Sequence, residues 1–176
     1  MEVHRSAFAA ERQVVRPTTY TDAIKDLRAV RAGHATSLGE AVARLRAPSK
    51  HFVLFIASDT RGIPDAVLVD FAAALIRAGA AYVCCWGPDC ERFHDCFDEA
   101  DVVVNGHASD SRVLMTTWHV DETLEDALWF ALNSTVPSSA YLDATKSVIV
   151  VSIGDDGWSE RVSTYLEAGA PMLDEA

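Results

Sequence analysis

The sequence contains no long apolar run. No 18-residue span is apolar and free of charge, and the opening residues, MEVHRSAFAAERQVVR, contain no continuous apolar segment of the kind found in signal peptides. We therefore expect no membrane association and a cytoplasmic location. All four cysteines lie between residues 84 and 96, so they cannot form the dispersed disulfide framework of small secreted proteins. This distribution predicts reduced thiols.

Several motifs of phosphate binding and catalysis are also absent. The segment SDTRGIPD, which follows the first strongly apolar run, contains neither G-x-G-x-x-G nor G-x-x-x-x-G-K-[ST]. G-x-S-x-G and C-x-x-C are not found either. These absences disfavour a dinucleotide enzyme, a P-loop nucleotidase, an α/β-hydrolase and a dithiol oxidoreductase.

Charge is distributed unevenly along the 176 residues, whose net charge is −11. Residues 1–50 contain nine Lys and Arg against five Asp and Glu, whereas residues 51–176 contain six against twenty-one. A strongly acidic body repels phosphate backbones and attracts cationic partners. We therefore expect no nucleic-acid partner, and the basic N-terminal part can lie against the acidic body.

The first fifty residues have the pattern of two short helices. Apolar positions recur at helical spacing from Tyr20 to Val30, which predicts a helix over 20–31. A second helix is predicted to begin at Ser37, where Glu40 completes a capping box, and to end at APSK. Residues 1–50 are thus predicted to form a basic helical hairpin that packs on residues 51–176.

From residue 51 onward, short apolar runs alternate with helical periodicity. The four runs are FVLFIA (52–57), YVCCW (82–86), VLMTTW (113–118) and VIVVSI (148–153). Such runs are typical of strands covered on both faces. The alternation predicts an acidic Rossmann-like or flavodoxin-like α/β domain over 51–176, with a doubly wound, mainly parallel four-stranded sheet and helices on both faces.

Ligands of such sheets bind beyond the carboxyl ends of the strands, where helix N-termini and loops converge. The candidate acid–base residues there are His119, Asp59 and Asp155. The candidate ligand-binding residues are Ser58, Thr60, Arg61, Trp86, Trp118 and Trp158. Each type also has a structural interpretation: carboxylates before helices act as caps, tryptophans close the rim of a sheet, and a histidine can serve as a polar turn residue.

The stretch CCWGPDCERFHDC raises the question of a metal site. Cys90 and His94 are four residues apart on one predicted helix face, and Cys85 could complete a zinc site from the strand end. Only one pair has the usual ligand spacing, however, and Cys84 and Cys85 point to opposite faces of the sheet. We therefore predict a strand, turn and helix with buried thiols, and neither a metal nor another cofactor.

A helical wheel drawn from Leu124 places Trp129 and Phe130 away from the sheet. Either the N-terminal hairpin covers them or they form an interface with a partner or with another copy of the chain. Together with the acidic body and the lack of a recognisable catalytic set, this favours a non-enzymatic cytosolic protein-binding module such as an adaptor, an inhibitor or an immunity-type protein. The alternative hypothesis is a small-molecule-binding protein or enzyme with a site around His119.

The run TTWHVDETLEDALWF, residues 116–130, resembles a segment of small uncharacterised bacterial α/β proteins. The resemblance extends over about the last two thirds of the chain. It implies an α/β fold and no particular activity, so it assigns a role to no residue.

Overall fold

In the computed structural model, which describes residues 28–106 and 112–169, a parallel sheet is flanked by helices on both faces. The five strands of these residues are β1 (Ala29–Ala35), β2 (His51–Ser58), β3 (Ala80–Trp86), β4 (Met115–His119) and β5 (Thr145–Ile153). Their helices are α1 (Leu38–Arg44), α2 (Asp65–Arg77), α3 (Cys90–Asn105), α4 (Leu124–Asn133), α5 (Ser139–Leu142) and α6 (Asp156–Ala168). No helix in the described ranges is long and apolar enough to cross a membrane.

The central strand β2 explains why the predicted strands are continuously apolar. Phe52, Leu54 and Ile56 project into a first core, which is covered by α1, α2 and α3. The alternate residues Val53 and Phe55 project into a second core, which is covered by α4 and α6. Because both faces of the strand are buried, both sets of side chains are apolar. The predicted α/β class with a parallel sheet is confirmed.

The predicted number of strands is wrong, because the described residues alone form a sheet of five strands and not four. The additional strand is β1, which pairs in parallel with β5 from Ala29 beside Ser147 to Ala35 beside Ile153. The helix predicted over 20–31 is therefore wrong from Ala29 onward, and its earlier part lies outside the described residues. Pairing with a strand more than a hundred residues away overrides the local helical spacing.

The other helix of the predicted N-terminal hairpin does form, as α1. The hydroxyl of Ser37 accepts a hydrogen bond from the backbone N–H of Glu40 at 3.3 Å, as in a capping box. The Glu40 carboxylate accepts in return from the N–H of Thr36, at 2.6 Å, instead of from Ser37. Within the described residues the chain thus has a β1–α1–β2 unit and shows no hairpin, and one sheet contains residues from both sides of position 50.

The strand order β1-β5-β2-β3-β4 places a reversal in the middle of the sheet. From β2 the chain moves outward through β3 to β4, with α2 and α3 on the first core's face. It then returns across the second face through α4 to β5, on the other side of β2. The segments that follow β2 and β5 therefore leave toward opposite faces. Such a point of reversal is where parallel α/β sheets form a crevice at their carboxyl ends.

Candidate functional site

A cleft of about 760 Å³ opens at this point of reversal. Its walls come from the segments that follow β1, β2, β3 and β5, together with the first turns of α1, α2 and α6. Its polar and aromatic lining residues are Thr36, Ser37, Ser58, Asp59, Arg61, Asp155 and Trp158. Five of these, Ser58, Asp59, Arg61, Asp155 and Trp158, were candidates from sequence. We call this space the switch cleft.

Asp59 and Arg61 form a paired charge on one wall of the switch cleft. The Arg61 guanidinium donates from Nε to Oδ1 of Asp59 at 2.9 Å and from Nη2 to Oδ2 at 2.6 Å. The backbone N–H of Arg61 also donates to Oδ1 at 3.1 Å. The hydrogen bonds from the Arg61 side chain lower the pKa of Asp59. Asp59 is therefore ionised at neutral pH, and both side chains still reach solvent.

Asp155 and Trp158 form the opposite wall, at the start of α6. Oδ1 of Asp155 accepts a hydrogen bond from the backbone N–H of Trp158 at 3.1 Å, which caps the helix. Gly154 precedes this cap at φ +83, and a Cβ there would meet no atom within 4 Å. The wall thus combines an indole with a carboxylate, and beside Gly154 the backbone is open to an incoming molecule.

Arg92 of α3 holds the loop that forms the Asp59 wall. Its guanidinium donates to the carbonyl oxygens of Thr60 at 2.7 Å and Ile63 at 3.1 Å, and it pairs with Asp65. The hydroxyl of Thr60 donates to the carbonyl of Asp89 at 3.2 Å, and Thr60 is completely buried. Thr60 therefore holds the loop in place and does not line the cleft. The hydrogen bonds of Arg92 and Thr60 fix the Asp59 wall without a contribution from any ligand.

His119 lies outside the switch cleft and is 5% exposed. Its Nδ1 lies 2.8 Å from Oε2 of Glu122, and its Nε2 lies 3.2 Å from the hydroxyl of Thr117. The imidazole also packs on Phe130, with ring centroids 5.0 Å apart. Both ring nitrogens thus have partners within the fold, and the structure does not bring His119 together with Asp59 or Asp155.

The three rim tryptophans have three different environments. Trp86 packs edge-on against Trp158 at a centroid distance of 5.4 Å, and its indole N–H donates to the Glu122 carbonyl at 3.0 Å. Trp118 lies on the other side of the sheet, against the ring of His94 at 4.6 Å, and is 42% exposed. Of these three tryptophans, only Trp158 lines the switch cleft, and Trp86 packs against the Trp158 ring.

The four cysteines are buried and free. Burial raises the pKa of Cys84 to about 12, and it also raises the pKa values of Cys85 and Cys90. His94 has one ring nitrogen 3.1 Å from the Asp95 carboxylate and the other 2.9 Å from the Thr116 hydroxyl. In the described part of the chain no three His, Cys, Asp or Glu side chains are grouped so that they could hold a metal ion, so Cys85, Cys90 and His94 form no such group.

Trp129 and Phe130 are both half-buried against the second core. Phe130 contacts Tyr82 at a centroid distance of 6.5 Å as well as His119. The prediction that both rings face away from the sheet is therefore wrong for Phe130. Helix α4 packs over β2 and β3, so the flank of the helix that carries Phe130 still meets Tyr82 of β3 and His119 of β4.

A model for a domain of unknown function, DUF7684, matches residues 31–168. This is most of the chain. The chain belongs to the DUF7684 family. No curated protein and no solved structure matches it. The match begins within β1 and ends with the last residue of α6, so the described residues that line the switch cleft all belong to the DUF7684 domain.

The sequence did not identify two cleft residues of this DUF7684 domain, Thr36 and Ser37. They follow β1, and the strand was hidden by the helical spacing that precedes it. A signal was nevertheless present, because Ser37 was recognised as a helix cap, and caps directly after strands lie at the carboxyl edge of a parallel sheet.

Proposed function

We propose that the protein binds a small polar molecule without phosphate groups in the switch cleft. The observation that carries the proposal is the position of the cleft, at the reversal of strand order, with an indole, two carboxylates, a guanidinium and three hydroxyl side chains around it. Convergent polar groups beside an aromatic wall are typical of small-molecule sites. This proposal keeps the alternative hypothesis from the sequence, a small-molecule site at the strand ends. It locates that site in the switch cleft and not around His119.

The chemistry of the lining residues narrows the class of ligand. Asp59 and Asp155 favour ligands that donate hydrogen bonds, such as vicinal hydroxyls or an ammonium group. Trp158 favours a flat or apolar ring on the same molecule. Arg61 is neutralised by Asp59, and residues 51–176 carry a large excess of carboxylates, so phosphorylated ligands are disfavoured. Neutral sugars, nucleosides and ring-bearing amines meet these conditions.

The test is a thermal-shift screen followed by calorimetry with neutral sugars, nucleosides, aromatic amines and, for contrast, nucleotides. Asp155→Asn retains an oxygen that can cap α6 but removes the charge, and Trp158→Leu removes the aromatic wall. We expect each change to weaken binding of a compound from the first three classes by about tenfold or more. Trp118→Leu, which changes an exposed tryptophan outside the cleft, is the matched control and is expected to bind normally.

Two results would count against this proposal. One is the absence of any binding tighter than about 1 mM across the panel. The other is binding that is the same in the wild type and in both cleft variants.

A second candidate function is the binding of another protein, as the acidic body suggested. Support comes from exposed apolar side chains at the β4 edge, where Trp118 is 42% exposed and Met115 is 38% exposed, together with Val120 at 56%. Exposed apolar side chains at a sheet edge are typical of an interaction surface. A pull-down from lysate with wild type and with Trp118→Lys tests it, since only the wild type is expected to retain a partner.

A further inference from the structure

The two edges of the sheet differ in charge and in the size of their side chains. Within residues 28–106 and 112–169, β1 and β4 each pair with a single neighbour, so each leaves one row of backbone N–H and C=O groups unpaired by a strand. Exposed strand edges of this kind are templates for pairing with another chain. The properties of the two edges indicate what that chain is.

The β1 edge is basic and has small side chains. On the first core's side of the sheet, β1 presents Ala29, Arg31, Gly33 and Ala35. Arg44, the last residue of α1, and Arg46, just beyond the helix, are both exposed; Arg44 forms an ion pair with Glu40 of the same helix, and Arg31 donates to the backbone carbonyl of Arg46 at 3.3 Å. The sequence from 28 to 50 contains five Lys and Arg and a single acidic residue, Glu40.

The β4 edge is acidic and has large side chains. Trp118 lies on the same side of the sheet as α3, because it packs on His94 of that helix. Asp98 of α3 accepts from the Thr116 hydroxyl at 2.7 Å, and Asp101 accepts from the backbone N–H of Leu114 at 3.2 Å. Asp98 therefore lies beside β4, and Asp101 lies beside the residue that precedes this strand.

We propose that the β4 edge of one copy pairs in parallel with the β1 edge of a second copy, in a head-to-tail assembly. All strands of the sheet run in one direction, so β1 of a second copy can continue the sheet beyond β4 while keeping its faces aligned. Helix α1 of the second copy then lies beside α3 of the first, with Arg31 and Arg46 on the side of Asp98 and Asp101. The indole of Trp118 lies across the small side chains of β1, as aromatic residues do beside glycine in sheets.

Charge also decides against the two symmetric alternatives. A twofold pairing of β4 with β4 brings the carboxylates of two α3 helices together, and a twofold pairing of β1 with β1 brings Arg31 and Arg46 of two copies together. Like charges that face each other destabilise an interface, whereas the head-to-tail contact joins opposite charges. Contacts of this heterologous type build rings or open filaments. This inference names the partner for the second candidate function and does not depend on ligand binding in the switch cleft.

The experiment uses two variants that each disable one edge. Trp118→Lys, with Met115→Lys as a second variant of the same edge, blocks β4 and leaves β1 intact. Arg31→Glu blocks β1 and leaves β4 intact. Val67→Lys and Arg77→Glu, at exposed positions on α2 away from both edges, are the matched controls. Circular dichroism and thermal melting show which variants are folded.

Sedimentation velocity and light scattering over a range of concentration and salt give the result. We expect wild type and controls to form concentration-dependent oligomers that dissociate as salt rises. Each edge variant alone is expected to be monomeric, and an equimolar mixture of Trp118→Lys and Arg31→Glu is expected to form a one-to-one dimer, because one usable β1 edge meets one usable β4 edge.

Two outcomes overturn the proposal. A wild type that remains monomeric at every concentration rules out self-assembly, whatever the cleft is found to bind. If one edge variant still forms dimers by itself while the other is monomeric, the interface is a symmetric pairing of the intact edge and not a head-to-tail contact.

Discussion

A Cβ atom on Gly87 would stand 2.5 Å from the carbonyl oxygen of Ser58. The turn after β3 therefore lies directly against the end of β2, at the base of the switch cleft. Gly87 also has φ +114, a conformation that side chains disfavour. This close approach of two strand ends is one of the contacts that give the cleft its shape, and it leads to the first prediction.

Gly87→Ala is expected to lower the free energy of unfolding by about 3 kcal/mol, because backbone clash and an unfavourable φ act together. Gly62→Ala is the matched control. Gly62 has φ +77, but a Cβ there meets no atom within 4 Å, so only the conformational cost of about 1 kcal/mol is expected. Urea unfolding of the three proteins measures both values, and equal losses for the two variants would contradict the packing argument.

Arg92 is predicted to keep the Asp59 loop closed against α3. Arg92→Ala removes the hydrogen bonds to Thr60 and Ile63, so tryptic cleavage after Arg61 in the native protein is expected to become about tenfold faster. Arg161→Ala, which breaks an ion pair with Glu125 away from this loop, is the control and is expected to leave the rate unchanged. Mass spectrometry of timed digests gives the rates, and equal rates for Arg92→Ala and wild type would show that other contacts hold the loop.

His119→Ala is expected to destabilise the protein without affecting ligand binding in the switch cleft. The buried ring packs on Phe130 and is bonded to Glu122, so we expect a loss of about 3 kcal/mol in thermal or urea unfolding. Calorimetry is carried out with the panel compound that binds the wild type most tightly. Loss of that binding in a variant that is fully folded would place His119 in the site and contradict its assignment to the core.

The buried Cys84 thiol predicts a loss of stability at alkaline pH. Burial raises its pKa from 9.0 to about 12, so the unfolded chain releases the proton at a lower pH than the folded protein does. Its contribution is complete below pH 9 and is lost as the pH rises from 9 toward 12. Tyr82, whose pKa burial raises from 10.0 to about 12, acts in the same direction.

Urea unfolding between pH 8 and pH 11 tests this prediction, and Cys84→Ala is expected to reduce the slope of stability against pH. At pH 8 the native protein is also expected to resist iodoacetamide at Cys84 and Cys85, whereas the unfolded chain reacts at all four cysteines. Rapid alkylation of Cys84 in the native protein would mean that the thiol is open to solvent.

Local sequence determined the elements that have a strong pattern of their own. The apolar runs that became β2, β3 and β5 predicted buried parallel strands, because a strand covered on both faces requires apolar side chains at nearly every position. The run over 113–118 also became a strand, β4, but it lies at the edge of the sheet and Met115 and Trp118 are exposed. The intervening helical spacing predicted α2, α3, α4 and α6. Since the carboxyl ends of parallel strands share one edge, five of the seven polar and aromatic cleft residues could be named without a structure.

Only the tertiary structure decided which of those strand ends meet. Nothing local states that β5 inserts between β1 and β2, or that β4 lies at an edge, because strand order depends on how the helices pack over the completed sheet. That order brings Thr36 to Asp59 and Asp155, and it leaves His119 and Trp118 two strands away from the reversal. The segment AVRAGHA became a strand for the same reason, since its backbone hydrogen bonds are made by β5, far away in the sequence.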